Sequence, residues 1–401
     1  MPRKKTNRAA QGAGSIRKKT IIQKGRPYTY WEGRITTGYD TGTGKQRQRY
    51  ITGKTQAEVR KKMQAIAVDI NNGDYHTPSK QTVGEWLDTW AATYLNSVKP
   101  RTQEIYRAAI RNHLKPALGA VRLELLDTIT VQSFYNSLST PSKTRKYALS
   151  PKSIKDIHGI LHNYLNQAVA VGLIRYNPTD ACEIPKIIRK ELMPFDENDI
   201  RKFLEEIQGS RFEILFTVTL FMGLREGEVL ALNWHNIDFQ RGTVLINSQL
   251  QRFRENQGVY RVVPTKNSKG RTIKPAEKVM ALLKRQKAEQ AAMRLKTGNA
   301  WESSDFVFTD ELGHHFDNST IYRAFKKAAT QIGRPDARFH DLRHSYAVAA
   351  IHAGDDIKTV QANLGHATAA FTLDVYGHVT EQMKQDSADR MNAFIEKVSN
   401  G

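Results

Sequence analysis

The chain has 401 residues, of which 39% are hydrophobic, 9% aromatic and 25% charged, the composition of a soluble globular protein of two to three domains rather than of a disordered or fibrous chain. Sixty-one Lys and Arg against 40 Asp and Glu give a net charge of +21, an excess that calls for a polyanionic partner, nucleic acid first and an anionic membrane surface second. There is no run of about 18 apolar residues, Met1 to Ala10 is basic with no apolar stretch behind it, and Cys182 is the only cysteine; these features argue against membrane spanning, secretion, an internal disulfide, a cysteine-rich zinc module and an iron–sulfur cluster, and point to a reducing cytoplasm.

Residues 1–80 carry 18 Lys and Arg against five Asp and Glu, so +13 of the net charge lies in this first segment. Within it Tyr28–Thr37 and Gln46–Thr52 are rich in aromatic and β-branched residues, and Asp40 to Gly44 between them reads as a hairpin turn. Thr55 and Glu58 have the spacing of a capping box, and Val59, Met63, Ile66 and Ile70 then repeat on one helical face that can cover a small sheet. So dense a positive charge makes DNA contact a better reading than solubility alone, and Arg34, Arg47 and Arg49 are its candidate contact residues.

Asn71 to Lys80 has the composition of a linker. Thr82 and Glu85 form a second capping box ahead of Trp86, Trp90 and Tyr94, and further helices are expected at about 102–114, 131–138 and 151–173, the last opened by Ser150 and Pro151. Four short helices make a compact all-α domain, with the aromatic residues in its core. Tyr176 to Pro178 and Glu183 to Lys190 form a second linker. A third unit opens with Asp196 as an N-cap, continues through an apolar helix from Phe212 to Met222 closed by Gly223, and then has strands at 244–250, 258–263 and 271–274; the rest, apart from a short stretch at Val307 and Phe308, reads as helix.

There is no phosphate loop of the GxxxxGK[ST] type, no HExxH and no GxSxG. His340 and His344 lie four apart, but Arg343 stands between them and no acidic ligand accompanies them, so no metal is expected. What remains is a dispersed set in the third unit: Arg225 and Glu228 after Gly223, Lys266 near a strand-to-strand turn, His340 and Arg343 at i, i+3 on a helix start, His366, and Tyr376 ten residues on.

Arg225, Lys266, His340, Arg343, His366 and Tyr376, in this order and in the contexts Gly223-Leu-Arg-Glu-Gly-Glu228, His340-Asp-Leu-Arg-His344 and Leu364-Gly-His366, resemble the tyrosine recombinase family. Departures are small: Met222 and Phe371 stand where threonines are usual, and Lys269 lies close to Lys266. The resemblance extends over the whole chain and implies the three-part integrases of phages and conjugative transposons. That fold is multidomain and mainly α with small β-sheets: an arm-type module of a three-stranded sheet plus helix over 1–80, an all-α core-binding domain over 81–186, and a mixed α/β catalytic domain with a C-terminal helix over 187–401. Tyr376 is then the nucleophile, Arg225 and Arg343 hold the phosphate, Lys266 is the general acid, His340 and His366 assist proton transfer, and Glu228 supports.

The resemblance also implies double-stranded DNA with core and arm sites as substrate, a homotetramer on DNA, an accessory excision factor as a further candidate partner, no cofactor and a cytoplasmic, nucleoid-associated location. A non-catalytic DNA-binding regulator on the same scaffold is the competing reading, disfavoured because all six positions hold competent residues. A type IB topoisomerase would share the chemistry without needing the N-terminal module or the 25 residues after Tyr376.

Overall fold

The computed structural model describes residues 14–23, 25–39, 42–72, 80–142, 145–188, 193–253, 258–265, 270–365 and 381–399. The chain divides into two compact units, Met1–Ile188 and Arg189–Gly401.

The first unit begins with an antiparallel sheet of β1 (Ser15–Gln23), β2 (Arg26–Tyr39) and β3 (Gln46–Gly53) in that order, followed by α1 (Gln56–Asn71). Helix and sheet meet through Ile35, Ile51, Val59 and Met63, with Trp31, Ile66 and Ile70 at the margin. Thr55 caps α1 by accepting from the Glu58 amide at 3.2 Å, but the Glu58 carboxylate accepts from the Lys54 amide at 2.9 Å, so the expected box closes one residue early. On the other face Glu32 is buried beneath Arg17, whose Nε donates to it at 2.9 Å, and Lys19, whose Nζ donates at 3.2 Å. Arg34 pairs across from Tyr50, whereas Arg49 pairs across from Ile35; strand alternation therefore puts Arg34 on the face away from the helix and Arg49 on the helix side. Arg47 follows the irregularity between Thr36 and Gly38.

The same unit continues with α2 (Val83–Thr93), α3 (Pro100–Ala109), α4 (Lys115–Leu118), α5 (Thr128–Leu138) and α6 (Pro151–Ala170). Thr82 and Glu85 make the full reciprocal cap of α2, at 3.2 and 2.8 Å, and Ser150 caps α6 with Pro151 in its first turn. The helix expected at 102–114 starts at Pro100 and runs through a π-turn at Ile110–Leu114 into α4, next to Pro116, which has no N–H to donate backwards. Trp86, Trp90 and Tyr164 are core residues; the Tyr164 hydroxyl donates to the Val83 carbonyl at 2.7 Å, satisfying its one polar atom at depth.

The second unit opens with α7 (Glu197–Ile207), capped by Asp196, and the apolar α8 (Glu213–Met222). Gly223 ends α8 with φ +61°, and a Cβ there would lie 2.4 Å from the Tyr346 ring, so both conformation and space demand glycine. Then come α9 (Glu226–Leu230), β4 (Ile237–Asp238), β5 (Thr243–Ile246), β6 (Ser248–Phe253), β7 (Val259–Pro264) and β8 (Arg271–Ile273). The strand expected at 244–250 breaks at Asn247, whose side chain accepts from Asn236 and whose carbonyl accepts from Thr265. Its first part joins a sheet of order β4-β5-β8 and its second part makes a hairpin with β7, so the one expected strand is divided between two sheets. Four helices, α10 (Glu277–Thr297), α11 (Asn318–Gln331), α12 (Phe339–His352) and α13 (Ile357–Leu364), complete the packed body, and α14 (Glu381–Ser399) follows. Among the described residues no helix is long and apolar enough to cross a membrane.

Candidate active site

Arg225 stands at the N-cap of α9, directly after the turn at Gly223. Its Nη1 donates to Glu228 Oε1 at 2.6 Å and its backbone N–H to Glu228 Oε2 at 3.1 Å, so the acid three residues on fixes both the side chain and the start of the helix. Glu228 is 2% exposed. Its second partner is Arg271 on β8, which donates from Nη1 at 3.0 Å and from Nη2 at 2.7 Å, the two-point geometry that a planar guanidinium makes with a carboxylate. Burial alone would raise the Glu228 carboxyl, but the hydrogen bonds and charge of Arg271, then the charge of Arg225, overcome it and bring it down to about 2.

Arg343 projects from the second turn of α12 into the interior and is 1% exposed. Its Nη1 donates to the Gly223 carbonyl at 2.7 Å and lies 3.9 Å from Glu228 Oε2, and its Nη2 donates to the Leu364 carbonyl. Among the described residues three guanidinium groups thus surround one carboxylate, a net charge of +2 at the meeting point of α9, β8, α12 and α13. In such surroundings a buried charge is tolerated because each is paired.

His340 sits one turn before Arg343, and its outer surface is open to solvent. The ring meets that of His344 edge-on, with centroids 4.7 Å apart. Protein packed around its inner side, followed by the positive fields of His344, Arg343 and Arg225, holds the His340 imidazole below its ordinary pKa, down to about 4, so it is neutral at pH 7. The i, i+3 spacing therefore brings His340 and Arg343 to the same side of α12 but at different depths. Among the described residues no group of three His, Cys, Asp or Glu could hold a metal ion.

Of the candidate catalytic set, Arg225, Glu228, His340 and Arg343 are brought together, while Lys266, His366 and Tyr376 lie outside the described residues. The residue missed from the sequence is Arg271. It falls inside the Pro264 to Ile273 segment that carries Lys266, but its contact with Glu228 spans 43 positions and leaves no local signal.

Two family models match the chain: the Phage integrase family over residues 191–383, and the Phage integrase N-terminal SAM-like domain over residues 82–139. A curated relative, the "Tyrosine recombinase XerC-like" protein of Caldanaerobacter subterraneus subsp. tengcongensis, is 28% identical over 395 residues, covering 94% of this chain and 98% of that protein. Among solved structures, the Tn1549 transposon integrase in complex with a circular intermediate DNA aligns with a TM-score of 0.64 at 19% identity, covering 78% of this chain and 99% of that one. The lambda integrase tetramer bound to a Holliday junction aligns at 0.54 and 19% identity, covering 87% and 96%. At such identities the structural likeness is one of fold. With both family models in place, the near full-length relative and the arginine-centred site, the chain belongs to the phage integrase family of tyrosine recombinases, enzymes of site-specific DNA recombination.

Proposed function

We propose that the chain integrates and excises a mobile element by cutting and rejoining DNA strands through a covalent 3′-phosphotyrosyl intermediate on Tyr376. The observation that carries this reading is the convergence of Arg225, Arg271 and Arg343 on buried Glu228, with neutral His340 at the solvent edge. A centre with net charge +2 suits a phosphodiester whose charge grows as it is attacked. Arg225, with its side chain 26% exposed, is the guanidinium most open to a ligand. Arg343 is enclosed, so its direct contact with a phosphate requires neighbouring residues to move when DNA binds.

In the cleavage step the Tyr376 oxygen attacks phosphorus, the bond to the 5′-oxygen breaks, and the phenolic proton passes to a base, a role open to neutral His340. Lys266 gives the departing 5′-oxygen its proton, and His366 hydrogen-bonds the phosphate. One phosphoester bond replaces another, so a new 5′-hydroxyl can reverse the step without ATP and without a metal. The core-binding domain at 81–186 and the catalytic domain at 187–401 grip the core site. The module at 1–80 reads the arm site, using Arg34, Arg47 and Arg49, and Arg34, opposite the helix side of the sheet, is the best placed of the three.

Four copies act together, a reading supported by the fold shared with the lambda integrase tetramer bound to a Holliday junction. An accessory excision factor is the further candidate partner, and the DNA substrate implies a cytoplasmic, nucleoid-associated location. A regulator that only binds DNA is not favoured, because binding alone needs no such enclosed charge centre. Incubation with a nicked suicide duplex carrying the element end, in excess chelator, tests the reading. A covalent adduct is expected, and a divalent-ion requirement for its formation would contradict the mechanism.

A further inference from the structure

Arg271 does more than pair with Glu228. Its Nε donates to the Asn363 carbonyl at 2.6 Å, at the last turn of α13. Arg343 donates to the neighbouring Leu364 carbonyl, so two guanidinium groups close the C-terminal end of α13, where free carbonyls and the helix dipole favour positive charge. The helix stops at Gly365 with φ +63°, and a Cβ on that glycine would lie 3.1 Å from Arg271 Cδ. The Arg271 side chain is 10% exposed. It therefore touches the segment that leads into His366, grips the carboxylate that fixes Arg225, and sits on the strand five residues after Lys266.

We propose that Arg271 is a positioning residue of the recombinase site: through Glu228 it sets the Arg225 guanidinium, and through the Asn363 carbonyl it sets the entry to His366. This rests on the catalytic reading above and goes beyond it by adding a residue outside the set Arg225, Lys266, His340, Arg343, His366 and Tyr376. Among the described residues the side chain of Arg271 bonds Glu228 and the Asn363 carbonyl; its part is to hold two segments in register, and lysine in its place keeps the charge but cannot make the two-point bond and the carbonyl bond together. A displacement of about 1 Å at a reacting centre costs about 100-fold in rate.

The test uses the full chain and its Arg271→Lys and Arg271→Gln variants, alone and combined with Glu228→Gln. Three quantities are read: single-turnover adduct formation on the nicked suicide duplex, affinity for the intact duplex, and the unfolding midpoint. Arg271→Lys is expected to slow adduct formation about 100-fold while affinity stays within about twofold. Adding Arg271→Lys to Glu228→Gln is expected to slow cleavage much less than it does alone, because both act through the same bond. If Arg271→Lys and Arg271→Gln only lower the unfolding midpoint and the folded fraction cleaves at the original rate, or if neither variant folds, Arg271 is a stability element and the proposal is overturned. Fully independent rate losses in the combined variant also overturn it. An unsubstituted chain that forms no adduct overturns the catalytic reading and this proposal together, whereas normal cleavage by a folded Arg271→Lys protein overturns this proposal alone.

Discussion

At the level of single residues the site is governed by how one carboxylate shares three cations. Glu228 to Arg225 is a bond across three positions on a helix start, and it was legible in the sequence because local spacing dictates it. Arg271 was not legible, since a buried arginine on a short strand looks like any surface arginine until the chain folds. Replacing Arg225 by lysine keeps the charge but loses the bidentate geometry, so cleavage is expected to fall far more than DNA affinity; equal losses in the two assays would make Arg225 a simple phosphate anchor. Glu228 makes a pH prediction. Its folded pKa, about 2, lies below the unfolded carboxylate value near 4.5, so its stabilising contribution is complete above the unfolded value and is lost as pH falls from there through about 2. The depression corresponds to about 3 kcal/mol. Thermal unfolding followed between pH 5 and 2 should show this loss in the unsubstituted chain and lack it in Glu228→Gln, which should itself be less stable at pH 7 because three buried or half-buried cations lose their shared anion.

At the level of elements, helix caps are legible in the sequence and strands less so. The Thr82 and Glu85 box, the Ser150 and Pro151 start and the Gly223 stop are local devices, and each ends or begins a helix where the residues placed it. Strand β1 escaped the residue-by-residue reading because its side chains are almost all exposed and no apolar alternation marks it; only the family resemblance implied a third strand. The break at Asn247 depends on Asn236 and Thr265, so an unbroken apolar run could not announce it. The β1–β3 sheet with α1 has its own small core, so its removal is expected to leave the helices after it folded. A chain lacking residues 1–80 is expected to cleave core sites, to lose its second class of site, and to show a shallower dependence of affinity on salt, in proportion to the phosphates no longer contacted. Salt titration of binding to element-end duplex checks this; an unchanged slope would mean that the module binds something other than DNA.

At the level of the whole molecule, strand exchange between two duplexes takes four cleavages and therefore four nucleophiles. Helix α14 carries Met391, Phe394, Ile395 and Val398 at spacings of three, four and seven, and they are exposed by 58, 61, 52 and 63%. An apolar stripe left open on its own chain is a docking face for a neighbouring copy, one that would close a ring in the homotetramer the family resemblance implies. Deleting residues 384–401 should weaken cooperative assembly on paired sites while single-site binding persists, as read by gel shift over a range of protein concentrations; four-subunit complexes at the original concentration would rule out the intersubunit role. All of this presupposes that Tyr376 is the nucleophile. The most direct measurement is adduct formation on a nicked suicide duplex by the full chain and by Tyr376→Phe, with the attached residue mapped by peptide mass spectrometry. The unsubstituted chain should carry the DNA 3′-phosphate on Tyr376, and Tyr376→Phe should bind the duplex with nearly the same affinity yet form no adduct. An adduct that survives Tyr376→Phe, or that maps to another residue, would contradict the account.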